Sequence, residues 1–290
     1  CVPVASTRLI SAPTRKPKAP MAPKSVKLTV RGRLQRGVHA RDIGFRFARL
    51  LNDGALAIDL DYRVIEFAGD LDQFDLAARA ALCNSPTEMR AYGVFFPPSQ
   101  AILERAQQHA KRPFTPVYAD ADAVYESTAV LDISALEPQI APPGGIHKSV
   151  DIGDAAGQRI DHAFIGACGS GMYEDFVIAA NVLRGRQLAP GVRMFIAPGS
   201  EQSTKRLLAD GLMQLFMEAG VIPLPAGCGP CNDAVVGPLH GGEVSISTAS
   251  NSNAGRFGAK DAQLFLGSPA TVAASAVCGK ITDPRSLSPQ

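Results

Sequence analysis

The chain has 290 residues, 46% of them hydrophobic and 19% charged, and its 29 basic and 27 acidic side chains leave a formal net charge of +2. This length suits a globular protein of about two domains. The near balance of charge argues against nucleic acid or an anionic membrane as partner, and no apolar run reaches the roughly 18 residues of a membrane-spanning helix.

The first 22 residues differ in composition from the rest. They are rich in proline and carry four basic side chains without an acidic one, and they show no hydrophobic period. We predict an unstructured leader or linker over residues 1–22, with a transit peptide as the alternative. Cys1 has no assigned role.

An alternation of strands and helices begins after this leader. Alternating apolar residues predict a strand at 25–31, and helical spacing predicts a helix from about residue 40 to 53. The next predicted elements are a strand at 63–67, helices at 72–82 and 97–110, and a strand at 127–133. A segment rich in proline and glycine at 137–145 then predicts the connection to a second unit.

A short segment at residues 84–89 predicts a further helix start within this first unit. Asn84 or Ser85 would cap the helix and Glu88 would lie in its first turn. The helix dipole favours a carboxylate there, so a surface residue is the simpler interpretation of Glu88.

The second unit repeats the alternation more regularly. Predicted strands lie at 163–167, 192–196, 221–224 and 244–248, and predicted helices at 174–183, 201–217 and 270–277. The fold class is therefore α/β, with two units at 23–140 and 141–290 and mostly parallel sheets flanked by helices.

Three loops follow strands of the second unit, at residues 166–171, 198–200 and 249–255. In a parallel sheet these loops share one edge, where ligands bind. Cys168 lies on the first loop, and Asn251 and Ser252 on the third would face it as candidate substrate-binding residues. Arg256 follows them and can clamp a carboxylate, although an exposed surface arginine is the commoner outcome.

Three of the six cysteines form the pattern C-x59-C-x2-C: Cys168, Cys228 and Cys231. Three thiolates would leave one iron of a cubane iron-sulfur cluster without a protein ligand. An open iron is a Lewis acid that can bind a substrate hydroxyl. Thiolate ligands also suit a reducing compartment, and we expect a cytoplasmic protein.

Other interpretations of these motifs remain open at this point. A lone C-x2-C also occurs in zinc sites and in redox pairs. The Gly-Ala-Cys-Gly-Ser-Gly loop at 166–171 has similarity to a dinucleotide-binding turn, although the proper G-x-G-x-x-G spacing is missing.

Several motifs together resemble the aconitase and isopropylmalate dehydratase superfamily, and above all the large subunits of the dehydratases. Residues 164–168 and 227–231 resemble its two cysteine motifs, and Asn-Ser-Asn-Ala-Gly-Arg at 251–256 resembles its Asn-Arg-Asn-Phe-x-Gly-Arg segment. The segments 30–38, 137–139, 267–270 and 283–285 are similar to other parts of the family.

This resemblance implies a role for each candidate site residue. Cys168, Cys228 and Cys231 would hold a [4Fe-4S] cluster. Glu88 would match the carboxylate near the leaving hydroxyl, and Asn251, with Arg256, would match substrate-binding positions. The implied reaction is the reversible dehydration of a hydroxy-di- or tricarboxylate.

The sequence also departs from the family's pattern. Gly169 and Ser170 replace a Thr-Asn pair, and Ser252 replaces an arginine that would bind a carboxylate. This replacement predicts a less charged substrate or impaired catalysis. The family's first domain, with its catalytic histidines, and its swivelling domain have no counterpart here. We therefore expect a small swivelling-domain subunit and a source of the first domain as partners; a noncatalytic iron-sulfur module is the alternative.

Overall fold

The computed structural model describes residues 22–231 and 236–287. Residues 1–21 of the predicted leader, Cys1 among them, lie outside the described residues. The first half contains β1 (Ser25–Arg31), α1 (Ala40–Asn52), β2 (Val64–Gly69), α2 (Leu76–Glu88), β3 (Gly93–Phe95), α3 (Gln100–His109) and β4 (Ser127–Asp132).

The second half begins with a short two-stranded ribbon and continues into a larger sheet. Its elements are β5 (Gln139–Ile140), β6 (Val150–Asp151), α4 (Ile152–Ala155), β7 (His162–Gly166), α5 (Tyr173–Leu183), β8 (Arg193–Ala197), α6 (Glu201–Ala209), α7 (Leu212–Glu218), β9 (Ile222–Pro223), β10 (Val244–Ser247), β11 (Gln263–Leu266) and α8 (Pro269–Cys278).

The two main sheets are parallel throughout, which confirms the predicted α/β class. The first has the order β3-β2-β1-β4 and the second the order β11-β10-β7-β8-β9. The central strands of the second sheet are buried, β7 and β10 along their whole length, because helices cover parallel sheets on both faces.

Helix α1 is buried on two faces. Ile43 and Phe47 pack into the core of the first sheet. Phe45 and Ala48 pack into a separate cluster with residues of the second sheet, including Phe164. Because α1 serves both cores, its first turn lies next to the carboxyl edge of the second sheet.

The helix start predicted at residues 84–89 is wrong. Asp75, whose side chain accepts a hydrogen bond from the Ala78 amide at 2.8 Å, caps one continuous helix that runs to Glu88. Pro86 has no N–H to donate to the Leu82 carbonyl, and the helix ends two residues after it. Glu88 is thus at the carboxyl end, where the helix dipole disfavours a carboxylate, so the dipole does not explain its position.

The helix predicted at 201–217 is two helices, α6 and α7. Gly211 adopts φ 69° between them, and this left-handed conformation ends a helix. The periodicity did not predict β3 and β11, two short strands at sheet edges. In the described part of the chain, no helix is both long and apolar enough to cross a bilayer.

Candidate metal centre

The carboxyl edge of the second sheet gathers the predicted loops. The Gly199 amide donates to the Gly171 carbonyl at 2.8 Å, which joins the loops after β8 and β7. The Gly227 amide donates to the Pro198 carbonyl at 2.9 Å, which brings the segment with Cys228 over the same edge. The shared edge inferred from the strand pattern is therefore present.

The three predicted cysteines act on one another electrostatically. Cys168 and Cys228 are exposed and Cys231 is buried. Although solvent reaches the Cys168 side chain, the surrounding loops crowd the thiol, and this partial burial, followed by the charge of Cys231, raises its pKa. Arg41 opposes the shift, and Cys228 adds to it. These couplings place all three sulfurs in one electrostatic environment.

The glycines beside Cys168 serve close packing. A Cβ at Gly166 would overlap the Ala197 carbonyl oxygen, and one at Gly171 would overlap the carbonyl of Ala167 and the backbone of Gly199. Contact with the next loop accounts for these glycines, so they give no separate support to a dinucleotide-binding turn.

Arg256 lies next to a thiol, and Glu88 acts on Arg256. The Arg256 Nη2 donates to the Cys231 Sγ at 3.5 Å. Partial burial lowers the pKa of Arg256, but the hydrogen bond to Cys231 and the charges of Cys231, Glu88 and Cys168 outweigh it and raise the pKa. The charge of Glu88, at the end of α2 in the first unit, thus acts on Arg256, which is itself bonded to Cys231.

Asn251 and Ser252 differ in their hydrogen bonding. The Asn251 Oδ1 is buried and accepts no hydrogen bond from any described residue, so it is an available acceptor. The Ser252 hydroxyl accepts from the Gly145 amide at 3.0 Å and donates to the Pro142 carbonyl at 3.1 Å. This geometry favours a structural role for Ser252 over the predicted substrate contact.

Two residues that sequence reasoning did not connect with the site hold the Cys168 loop. The Asn84 Nδ2 donates to the Cys168 carbonyl at 2.8 Å, whereas the sequence suggested only a helix cap. The Arg41 guanidinium donates to the carbonyls of Gly169 and Ala249. An arginine in the first turn of a helix, where the dipole disfavours a cation, is the signal that could have indicated Arg41.

Asp175, in the first turn of α5, is a buried carboxyl close to this site. Burial raises the pKa of Asp175 to about 7, against the opposing effects of the Met172 amide and the Arg41 charge. Between pH ~4 and ~7 the folded chain therefore keeps a proton on Asp175 that the unfolded chain has already released. The contribution of Asp175 to the free energy of unfolding is fully present below pH ~4 and is lost as the pH rises from ~4 to ~7.

Replacement of Asp175 by asparagine, which keeps the acceptor for Met172, is expected to flatten this dependence. The parent's free energy of unfolding should fall more steeply than the variant's between pH 4 and 7, by at most about 1.4 kcal/mol per pH unit. Urea denaturation followed by circular dichroism measures the difference. The exposed Asp154 provides the control: Asp154→Asn should keep the parental slope, and equal slopes for Asp175→Asn would contradict the prediction.

The donor set determines which metal group the residues suit. Within residues 22–231 and 236–287, no three histidine, cysteine, aspartate or glutamate side chains are arranged to hold a single metal ion. A cubane cluster keeps its thiolate ligands apart by its own width. The charges of Cys228 and Cys231 act on Cys168, but the three sulfurs are not arranged around a single ion. Three thiols beside two cationic side chains suit an anionic iron-sulfur cluster.

The fold and the site define an α/β protein with a cysteine-containing site at the carboxyl edge of a parallel sheet. The chain belongs to the aconitase family. The family's sequence profile, described as aconitate hydratase, matches residues 14–158 and 147–279. This match confirms the resemblance found in the motifs.

Curated relatives agree with this assignment. The chain is 37% identical over 265 residues to 3-isopropylmalate dehydratase large subunit 1 of Methanopyrus kandleri. It is 38% identical over 266 residues both to the probable methanogen homoaconitase large subunit of Methanosarcina mazei and to the homoaconitase large subunit of Thermus thermophilus. Each match covers 91% of this chain but only 62%, 66% and 62% of the respective relative.

Among solved structures, the chain has a distant likeness to the holo-form of Thermococcus kodakaraensis aconitase X. The TM-score is 0.47 at 14% sequence identity, over 80% of this chain and 50% of that one.

Proposed function

We propose that this chain is the cluster-bearing part of a hydro-lyase that reversibly dehydrates a hydroxy-di- or tricarboxylate. The observation that carries the proposal is the hydrogen bond from the Arg256 Nη2 to the Cys231 Sγ at 3.5 Å. The charges of Cys168 and Glu88 also act on Arg256, and that of Cys228 acts on Cys168. The names of the relatives, dehydratase and homoaconitase large subunits, support the same reaction class.

The proposed cofactor is a [4Fe-4S] cluster held by the three cysteine sulfurs. When bound, the cluster supplies an iron without a protein ligand, a Lewis acid for hydroxyl and carboxylate oxygens. Arg256 would stabilise the sulfur of Cys231, to which it already donates, since donors to cluster sulfurs tune such sites.

The other side chains would bind and orient the substrate. The Arg256 guanidinium presents donors in a planar fork that matches a carboxylate. The free Asn251 Oδ1 would accept a hydrogen bond from a substrate hydroxyl. Glu88, exposed near Arg256, would hold or release a proton at its carboxylate beside the leaving hydroxyl.

The substrate that we favour is a hydroxydicarboxylate such as isopropylmalate or a related malate. Arg256 supplies a cation at this site, whereas Ser252 stands where an arginine would bind a further carboxylate and uses its hydroxyl for Pro142 and Gly145. A site with fewer cations favours a substrate with fewer carboxylates.

The proposal includes the organisation of the assembly. We propose units at 23–140 and 141–290, because one sheet ends at β4 and the other begins at β7, and we propose a leader at 1–22 from its composition alone. Because the chain spans about two thirds or less of its relatives' length, we propose that further polypeptide completes the site. It would comprise a small swivelling-domain subunit and the equivalent of a first domain, acting in the cytoplasm.

Anaerobic purification and reconstitution with iron and sulfide test the proposal. We expect about four irons and as many sulfides per chain, and hydration of citraconate or isopropylmaleate when a small subunit and a polypeptide that carries the first domain are added. Cluster binding without turnover under any combination of subunits would instead support a noncatalytic iron-sulfur module. Failure to bind iron and sulfide would overturn the proposed cofactor.

A further inference from the structure

Arg41 is a buried cation that the proposed reaction does not use. It is 3% exposed and lies in the first turn of α1, where the helix dipole is unfavourable to positive charge. Burial lowers its pKa to about 10, so the guanidinium remains charged at neutral pH. A buried charge is unfavourable unless it is compensated, and the Arg41 Nε has no acceptor among the described residues. The contacts of the other nitrogens must therefore offset this cost.

Those contacts join two loops that are far apart in the sequence. The Arg41 Nη1 donates to the Gly169 carbonyl at 3.4 Å, and the Nη2 donates to the Ala249 carbonyl. Gly169 follows Cys168, and Ala249 precedes Asn251 by two residues. A single side chain from the first sheet's unit thus connects the loop with the first thiol to the loop with the free amide oxygen.

The Cys168 loop is shaped to receive this guanidinium. A Cβ at Gly169 would lie 2.7 Å from the Arg41 Nη1 and would overlap the Thr248 carbonyl oxygen. The guanidinium therefore occupies space that a side chain at position 169 would need. Asn84 of α2 donates to the adjacent Cys168 carbonyl, so α1 and α2 both hold the same loop.

The charge of Arg41 acts on the thiols from this position. Its interaction with Cys168 is the largest of the effects that oppose the burial of Arg41, followed by those with Asp175, Asp42 and Cys231. Because the guanidinium is held on the Gly169 and Ala249 carbonyls, its positive charge is fixed close to Cys168 and favours a negatively charged group bound there.

We propose that Arg41 is a positioning residue for the thiol site, which fixes the Cys168 loop relative to the Asn251 loop and places a buried positive charge behind the sulfurs. The part of this inference that concerns a bound cluster rests on the proposed function; the part that concerns the two loops does not. Arg41 touches neither substrate nor thiol and acts through the backbone that carries them.

Hydrogen exchange of the chain without cluster tests the loop connection. In Arg41→Met, amides of residues 166–171 and 247–252 should exchange about tenfold faster or more, the equivalent of one lost charge-assisted hydrogen bond. Arg41→Lys should lie in between, because an ammonium cannot span two carbonyls as the planar fork does. Arg49→Met is the matched control: Arg49 lies on the same helix but binds Ser149 and Asp151, so these two segments should exchange at parental rates.

The reduction potential of the reconstituted cluster tests the charge. Removal of a nearby positive charge destabilises the reduced, more negative cluster, so the midpoint potential of Arg41→Met should be more negative than that of the parent and of Arg41→Lys. Parental exchange rates in both segments, or faster exchange spread evenly over the chain, would overturn the positioning role. A parent chain that binds no cluster would refute the proposed function and leave the exchange result to decide the role of Arg41.

Discussion

Replacement of Cys168 by serine is expected to abolish stable cluster binding. Serine keeps the size of the side chain but removes one of three proposed thiolate ligands, and two ligands on the Cys228 loop cannot hold a cubane firmly. Since loss of an outer hydrogen bond alone lowers metal affinity 10–100-fold, loss of a ligand should lower it by at least about 100-fold. Iron and sulfide analysis after anaerobic reconstitution, with the visible absorption of the cluster, measures the effect.

Cys278 provides the matched control for this replacement. It ends α8 next to Gly279, whose carbonyl accepts from the Ile160 amide at 3.1 Å. This contact places Cys278 at the amino edge of the second sheet, opposite the edge that carries Cys168. Cys278→Ser should reconstitute like the parent. Retention of a full cluster by Cys168→Ser would show that Cys168 is not a ligand.

The second large effect is expected for Arg256→Met. Methionine keeps much of the side-chain volume but removes the hydrogen bond to Cys231 and the proposed donors to a substrate carboxylate. Loss of one preorganised donor lowers rates about 10²–10³-fold in other enzymes, and we expect a decrease of that order in kcat/KM. The affinity of the reconstituted chain for a hydroxydicarboxylate, followed by the change that binding causes in the cluster's electron paramagnetic resonance spectrum, should fall in parallel.

Two further variants separate the geometry of Arg256 from its charge. Arg256→Lys keeps the charge but loses the planar fork, so it should recover only part of the affinity. Arg159→Met removes an arginine that is 83% exposed and paired with Asp161 at 3.2 Å, an interaction worth about 0–1 kcal/mol, and should behave like the parent. Equal affinity of Arg256→Met and the parent would exclude the proposed carboxylate contact.

The alternation of strands and helices could be predicted because its causes are local. The apolar run of β7 and the alternating residues of β1 lie at the predicted positions to within a residue or so. The parallel arrangement follows from the helices between the strands. From it, the common edge of the loops after β7, β8 and β10 could be inferred without knowledge of the packing.

The helix boundaries near the site show where local reasoning failed. Asn84 and Pro86 are typical of a helix start, yet both lie inside α2. The Asn84 amide instead donates to the carbonyls of Ala80 and Cys168. A side chain with a partner 84 residues away in the sequence does not need to cap its own helix, and no local pattern reveals such a partner.

The sequence by itself determined the α/β class, the parallel sheets and the family, because periodicity, glycine positions and cysteine spacing are properties of short segments. Only the tertiary structure decided that Arg41 and Asn84 donate hydrogen bonds to the Cys168 loop. It also decided that the charge of Glu88 acts on Arg256 and that the Ser252 hydroxyl already donates to Pro142. The physical reason is that these contacts depend on how α1 and α2 of one sheet pack against the edge of the other. Burial and hydrogen bonding across that interface are set by residues distant in the chain.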